Sequence, residues 1–185
     1  MLYPNFEPFP HLTTDRLILR KLEIEDAPEV FVQRSDPTIN KFIKRESAKN
    51  IEEAKEWILK VLNNEKNNES ITWVICLKGE TKSIGTICLW NIERVLDKAE
   101  VGYSLHFNYF GKGLMNEALM KVVNYGFEEM KLKRIDAYTN KDNTASLKLL
   151  QKNKFFRNLE FENDYENKDE LEYNTIHTRL HSSKF

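Results

Sequence analysis

No apolar run in this chain approaches the roughly 18 residues of a membrane span. Its opening, Met1-Leu2-Tyr3-Pro4-Asn5-Phe6-Glu7-Pro8, lacks the basic and apolar regions of a signal peptide, so a cytoplasmic protein without membrane association is expected. An excess of charge of one sign is missing too: 28 lysines and arginines stand against 29 aspartates and glutamates, a formal charge of −1. That balance excludes the broad basic surface used for nucleic acid, and any anion site has to be local. Cysteine is scarce, with no Cys-x-x-Cys pair from which to build a zinc site, and Cys76 and Cys88 both lie in apolar, strand-like runs that suit reduced core residues. His177 and His181 are four apart, but the alternation of 173–180 reads as a strand that would splay them, and no metal is expected. Repeats, linkers and low-complexity segments are absent as well.

What remains is a chain of 185 residues, 41% hydrophobic and 11% aromatic, enough for a single domain, 1–185, with one filled core. Residues 12–22 form a β-rich run, and the acidic Glu23-Ile24-Glu25-Asp26 ahead of Pro28 signals a helix over roughly Pro28 to Arg34, broken at Ser35-Asp36-Pro37. From Asn50 the residues Ile51, Ala54, Trp57, Ile58, Val61 and Leu62 keep a 3.6-residue period, with Asn50 and Glu53 at capping-box positions. Strand runs follow at Ile71 to Lys78, Ser83 to Trp90 and Lys98 to Phe107, readable as an antiparallel meander. A helix with Leu114, Ala118, Leu119, Val122, Gly126 and Met130 on one stripe then leads to a strand over Arg134 to Asn140, which implies one parallel pair. A short helix capped at Asn143, and strands at Phe155 to Phe161 and Tyr173 to Leu180 around a solvated loop at Glu162 to Glu170, close the chain. The expected class is α+β: a central mixed, strongly twisted sheet, an antiparallel meander plus one parallel pair, flanked by helices.

The junction Leu105-His106-Phe107-Asn108-Tyr109-Phe110-Gly111-Lys112-Gly113-Leu114-Met115-Asn116 joins strand to helix through a glycine-lysine-glycine turn. Glycines remove the Cβ atoms that keep a phosphate from the backbone, and a helix start aims N–H groups and the positive end of its dipole at one spot. Taken alone, the pair also suits a tight turn in which glycine only relieves strain. An ATP loop would end Gly-Lys-Ser/Thr, and Gly113-Leu114 lacks that hydroxyl.

With that order of elements, the chain resembles the GNAT superfamily of acetyl-CoA-dependent N-acetyltransferases, and within it the ribosomal-protein N-terminal (serine/alanine) acetyltransferase branch. The likeness rests on Thr14-Asp15-Arg16-Leu17-Ile18-Leu19-Arg20, Glu25-Asp26-Ala27, Ser35-Asp36-Pro37, Ala99-Glu100-Val101-Gly102-Tyr103, Tyr109 to Gly113 through Asn116-Glu117-Ala118, and Asn143-x-x-Ser146. It implies a pyrophosphate held by Phe110, Gly111, Lys112, Gly113, Leu114, Met115 and Asn116, a pantetheine arm beside Ser104, Leu105 and His106, and a contact from Asn143, whose other reading is a helix N-cap. Two positions depart from the family loop: Phe110 stands at its first position, and Met115 where glycine or alanine is usual. The tyrosine that many members use as general acid falls on Leu150.

Acetyl transfer by direct attack in a ternary complex needs alignment and proton handling but no nucleophilic cysteine. Ser146 matches the serine that this branch places near the cofactor sulfur, so the resemblance makes it the candidate for stabilising the leaving thiolate, its other reading being a capping residue. Glu100 is the candidate base, or else a partner for a basic side chain. Tyr138 is a lesser candidate for proton transfer, while Tyr103 and Trp90 read as core or pocket wall. The branch implies the N-terminal amine of a (ribosomal) protein as acceptor. A small-molecule amine (polyamine, drug or amino-acid-like) is the alternative, since Glu23, Glu25, Glu46 and Glu100 suit a cation. A non-catalytic acyl-CoA-binding module is another, and either a monomer or a homodimer is compatible with the sequence.

Overall fold

Strand β3 (Ile71–Leu77), buried along almost its whole length, is the reason the molecule has two layers of helix. Its Ile71, Trp73 and Ile75 enter one apolar cluster, while Val74 and Cys76 enter a second on the opposite face. A β-branched run with no polar side needs cover on both faces. The computed structural model describes residues 4–43, 45–158 and 175–185.

One sheet has the order β1-β2-β3-β4-β5-β6-β8-β7, with β1 (Leu12–Thr13), β2 (Leu17–Lys21), β4 (Gly85–Glu93), β5 (Lys98–Leu105), β6 (Arg134–Asn140), β7 (Phe156–Arg157) and β8 (Thr175–His181). All pairings are antiparallel except β5 with β6, as the crossover helix between them requires. The opening run is a small hairpin rather than one strand, because Leu17 N–H turns back to Thr14 Oγ1 (3.0 Å). At the other end β7 is shorter than expected, and β8 lies between it and β6. The expected loop Glu162 to Glu170, with parts of the strands on either side, lies outside the described residues.

Helices α1 (Ala27–Ser35), α2 (Pro37–Asn40) and α3 (Ile51–Lys66) lie on one side of the sheet. Ala27, Val30, Ala54, Ile58 and Val61 pack there with Val74 and Cys76. The α3 cap forms with a shift. Asn50 Oδ1 accepts from Glu53 N–H (2.9 Å), but Glu53 Oε2 reaches back to Lys49 N–H (2.8 Å) rather than to Asn50. On the other side, α4 (Leu114–Glu128) packs Ala118, Leu119, Val122, Val123 and Phe127 against the inner residues of the meander, and Leu150 of α5 (Thr144–Lys152) joins them.

Candidate active site

The β5–β6 ladder is short. It pairs Lys98 with Arg134, Ala99 with Ile135 and Glu100 with Asp136, and ends there. The outer edge of β5 stays paired with β4 as far as Leu105 opposite Gly85, and the outer edge of β6 stays paired with β8 as far as Asn140 opposite Thr175. Both strands are thus held from outside while their facing edges part, which opens a wedge in the sheet walled by peptide groups. Backbone amides exposed in this way call for a ligand that is itself a chain of amides.

A cleft of about 480 Å³ fills the wedge. Strand alternation shows that it passes through the sheet. Val101 belongs to the α4-side cluster, whereas Thr86 and Cys88 pair with Val74 and Thr72 and so share the α1/α3 face, together with Glu100, Gly102 and Ser104. Residues from both sets line the same cleft. On the α4 side, the Tyr103 hydroxyl and Ser146 Oγ are 2.8 Å apart. Burial, eased by that bond, pushes the Tyr103 phenol up to about 12, so it is a proton donor at neutral pH. Asn143 Oδ1 accepts from Ser146 N–H (3.1 Å), the N-cap of α5, and the same side chain borders the cleft.

The glycine turn sits at the start of α4. Gly111 and Gly113 both take left-handed backbone, φ 73° and 76°. An L side chain at either would be strained by roughly 1–2 kcal/mol. A Cβ on Gly111 would meet nothing within 4 Å, so the approach to the turn is open. The first intrahelical bond runs from Glu117 N–H to Gly113 C=O (3.2 Å), which leaves the N–H groups of Leu114, Met115 and Asn116 ahead of the ladder. Met115 packs towards the core, so its bulk is directed away from the open side of the turn. Lys112 Nζ lies 5.3 Å from the Tyr109 ring centre.

A clamp from the far end of the sheet fixes this turn. Glu117 accepts from the Thr14 hydroxyl, from Arg16 N–H (2.8 Å) and from Arg16 Nε (2.7 Å). Arg16 Nη1 also donates to Lys112 C=O (3.0 Å). Burial pushes the Glu117 carboxyl up, but these bonds and the Arg16 charge outweigh it and hold it below the ordinary range. No local pattern links Arg16 to a glutamate 101 residues away.

Residues 16–155 match the acetyltransferase (GNAT) domain family. The chain belongs to the GNAT family. It is 34% identical over 139 residues, 75% of this chain and 78% of the other, to the uncharacterized N-acetyltransferase p20 of Bacillus licheniformis. Among solved structures it resembles the ribosomal-protein-S5-alanine acetyltransferase of Vibrio fischeri, with 25% identity, a TM-score of 0.77, and 94% of this chain and 97% of that one covered. It also resembles RimL, a ribosomal L7/L12 alpha-N-protein acetyltransferase solved in complex with coenzyme A, with 16% identity, a TM-score of 0.78, and coverage of 93% and 98%. The protein is therefore a GNAT N-acetyltransferase, with the mixed sheet expected of one.

Within this GNAT site the expected residues take these places. Of Ser104, Leu105 and His106, only Ser104 borders the cleft, whose β5 wall is Glu100 to Ser104. Leu105 is core, while His106 N–H is taken by Ile84 C=O (2.8 Å) and its ring caps the following turn at Asn108 N–H (3.3 Å). Cys88 is not core but cleft wall. Burial raises its thiol to about 12, so it is no nucleophile at neutral pH. Of the four acidic candidates for a cation, only Glu100 borders the cleft, and Glu23 is used in the capping box of the turn before α1.

Glu100 sits beside a β-bulge. The register of β4 against β5 shifts between Trp90 and Glu93, Asn91 takes φ 46°, and Asn91 Nδ2 donates to Glu100 Oε1 at 2.6 Å. Tyr138 is raised to about 12, by burial first and then by the charges of Glu100 and Asp136, which makes it a donor rather than a base. Leu150 lies in the cleft wall, and the Tyr103 phenol stands on β5 beside Ser146. Among the described residues no group of three or more His, Cys, Asp and Glu could hold a metal, and no helix is long and apolar enough to cross a membrane. The backbone of His177 and His181 is strand, and the His181 ring stacks on Phe156 with centroids 5.8 Å apart.

Proposed function

We propose that this chain transfers the acetyl group of acetyl-CoA to a primary amine by direct attack in a ternary complex formed within the split sheet. The observation that carries this reading is the early end of the β5–β6 ladder at Glu100 and Asp136, with Ser146 and Tyr103 at the opening. The residues present fit the cosubstrate. The N–H groups of Leu114, Met115 and Asn116 and the open glycine turn would hold its pyrophosphate, with Lys112 at hand, and the parted strand edges would hold its pantetheine amides. Acetyl-CoA supplies a thioester already activated towards amines.

The protein's own work is alignment and proton traffic. Glu100, oriented by Asn91, takes the proton of the incoming ammonium, directly or through water. Ser146 donates towards the leaving sulfur, and the Tyr103 phenol holds its hydroxyl in position. Tyr138 stands nearby as a further donor. No cysteine takes part, in keeping with the raised Cys88 thiol.

For the acceptor we favour the N-terminal amine of a protein. The named activities of the Vibrio fischeri enzyme and of RimL support a ribosomal one. Coenzyme A binding followed by calorimetry, together with thiol release from acetyl-CoA over a panel of amines and ribosomal-protein amino-terminal peptides, tests the reading. Binding without release above hydrolysis for any amine would make the chain an acyl-CoA-binding module and overturn it.

A further inference from the structure

We infer that the acceptor carries an anionic group, a carboxylate or phosphate, set back from the amine, and that Arg45 receives it; this rests on the transfer reading above. On the α1/α3 face the cleft is closed by Phe42, Ile43 and Arg45, which precede α3, and by Trp57 of α3 itself. Arg45 is held stiffly in that wall. Its Nε donates to Asn40 Oδ1 and its Nη2 to Gln33 C=O, each at 2.8 Å. Both acceptors are neutral. Behind it the Arg34 guanidinium stacks 4.7 Å from the Trp57 ring centre. Among the described residues, no carboxylate lies within salt-bridge distance of either guanidinium.

Two neighbouring, half-buried cations with no anion beside them among the described residues are an unfavourable arrangement. Its mark is on Arg45 itself, lowered to about 10 by burial and then by the charge of Arg34. An arginine fork in the wall of a ligand cleft, its charge unpaired by any described carboxylate, is matched to a carboxylate or phosphate oxygen pair. Glu100 lies on the same face of the same cleft. The acceptor side therefore offers one carboxylate and one guanidinium, with the aromatic Phe42, Trp57 and Trp90 as walls. That is the complement of a zwitterion, with ammonium to Glu100 and anion to Arg45. A polyamine would set a second ammonium against the Arg45 guanidinium, which has no carboxylate partner among the described residues. Free amino acids, phosphorylated amines and peptides with an acidic residue near the N-terminus share the required chemistry.

Matched acceptor pairs separate these sources: an α-amino acid and its carboxamide, a tripeptide with Asp or Asn second, phosphoethanolamine and ethanolamine. Each is titrated calorimetrically into the protein–CoA complex, and each is assayed for thiol release with acetyl-CoA. In at least one pair the anionic member should bind about tenfold tighter than its neutral twin, and that pair identifies the source. In Arg45→Gln the ratio should fall below about threefold, and Arg45→Lys, which keeps the charge but not the fork, should restore part of it. Binding within about twofold for every pair in the wild-type protein, or an undiminished ratio in Arg45→Gln, overturns the inference. The wild-type pairs decide it alone if the substitution disturbs folding. A binding preference without thiol release from any acceptor would leave the anion site standing and remove the transfer reading instead.

Discussion

Replacing Glu117 with Gln should destabilise the fold through the start of α4. The wild-type carboxylate gathers the Thr14 hydroxyl, the Arg16 N–H and the Arg16 guanidinium, joining the turn between β1 and β2 to the first turn of the helix. Its side chain is 18% exposed but that of Arg16 is 50% exposed, so the ion pair itself contributes only the ~0.2–1 kcal/mol of a surface pair. The bond from Thr14 is partly buried and that from the Arg16 backbone is exposed, and together they lose about 0.5–1 kcal/mol when the acceptor becomes a neutral amide. The sum is a loss of about 1–2 kcal/mol at pH 7, readable as a lower urea midpoint at unchanged slope. The pH dependence has a definite sign. The folded-state value of Glu117 is depressed, so its contribution is present above the ordinary glutamate value of about 4.3 and fades as pH falls through the folded value. The gap between wild type and Glu117→Gln should therefore close on acidification while the neutral-pH gap persists. A cycle with Arg16→Met should give a coupling of about 0.5–1 kcal/mol. A difference under about 0.3 kcal/mol at pH 7, or one that does not change with pH, would refute the clamp.

Other consequences are open to test. Tyr103→Phe and Ser146→Ala should each lower kcat by about 10- to 100-fold with little change in coenzyme A affinity measured by calorimetry; equal losses in both would make the pair a binding element. Gly85→Ala should cost about 2–3 kcal/mol in urea unfolding, because its Cβ would lie 2.5 Å from Ser104 C=O and 3.1 Å from Leu105 Cα, which cannot move without parting β4 from β5. A wild-type-like midpoint would show that the strands yield. Cys88 in the native protein should react with a disulfide reagent at pH 8 at least about tenfold more slowly than a free thiol, since its raised value keeps it protonated. Fast labelling of Cys88, located by peptide mapping, would contradict that.

Much of the fold is legible along the chain because the forces that write it are local. The 3.6-residue spacing from Ala54 to Val61 makes α3, since those side chains share one face of any helix, and Asn50 starts it because its side chain satisfies an N–H within the same turn. The unbroken apolar run of β3 announces a strand covered on both sides. The glycine pair and its crossover helix mark the parallel step, because a parallel return needs a long connection.

The site is another matter. Cys76 and Cys88 occupy similar apolar runs and share a face, yet α1 and α3 cover the first while the second borders the cleft. Nothing local distinguishes them. Met115 looks obstructive in the sequence and is harmless in the fold, because its place in the first turn of α4 directs it to the core. Tyr103 and Ser146 are 43 residues apart and meet because β5 and α5 converge at the wedge.

By itself the sequence determined which segments are helix or strand, which faces are apolar, and where a glycine turn opens a helix, because each depends on neighbours within a turn or a strand pair. Only the tertiary structure decided where the parallel ladder stops, that Arg16 braces the turn through Glu117, and that Arg45 stands in the cleft with no carboxylate among the described residues paired to it. Those outcomes depend on register between strands and on charges brought together from distant parts of the chain, and neither has a period that can be read along it.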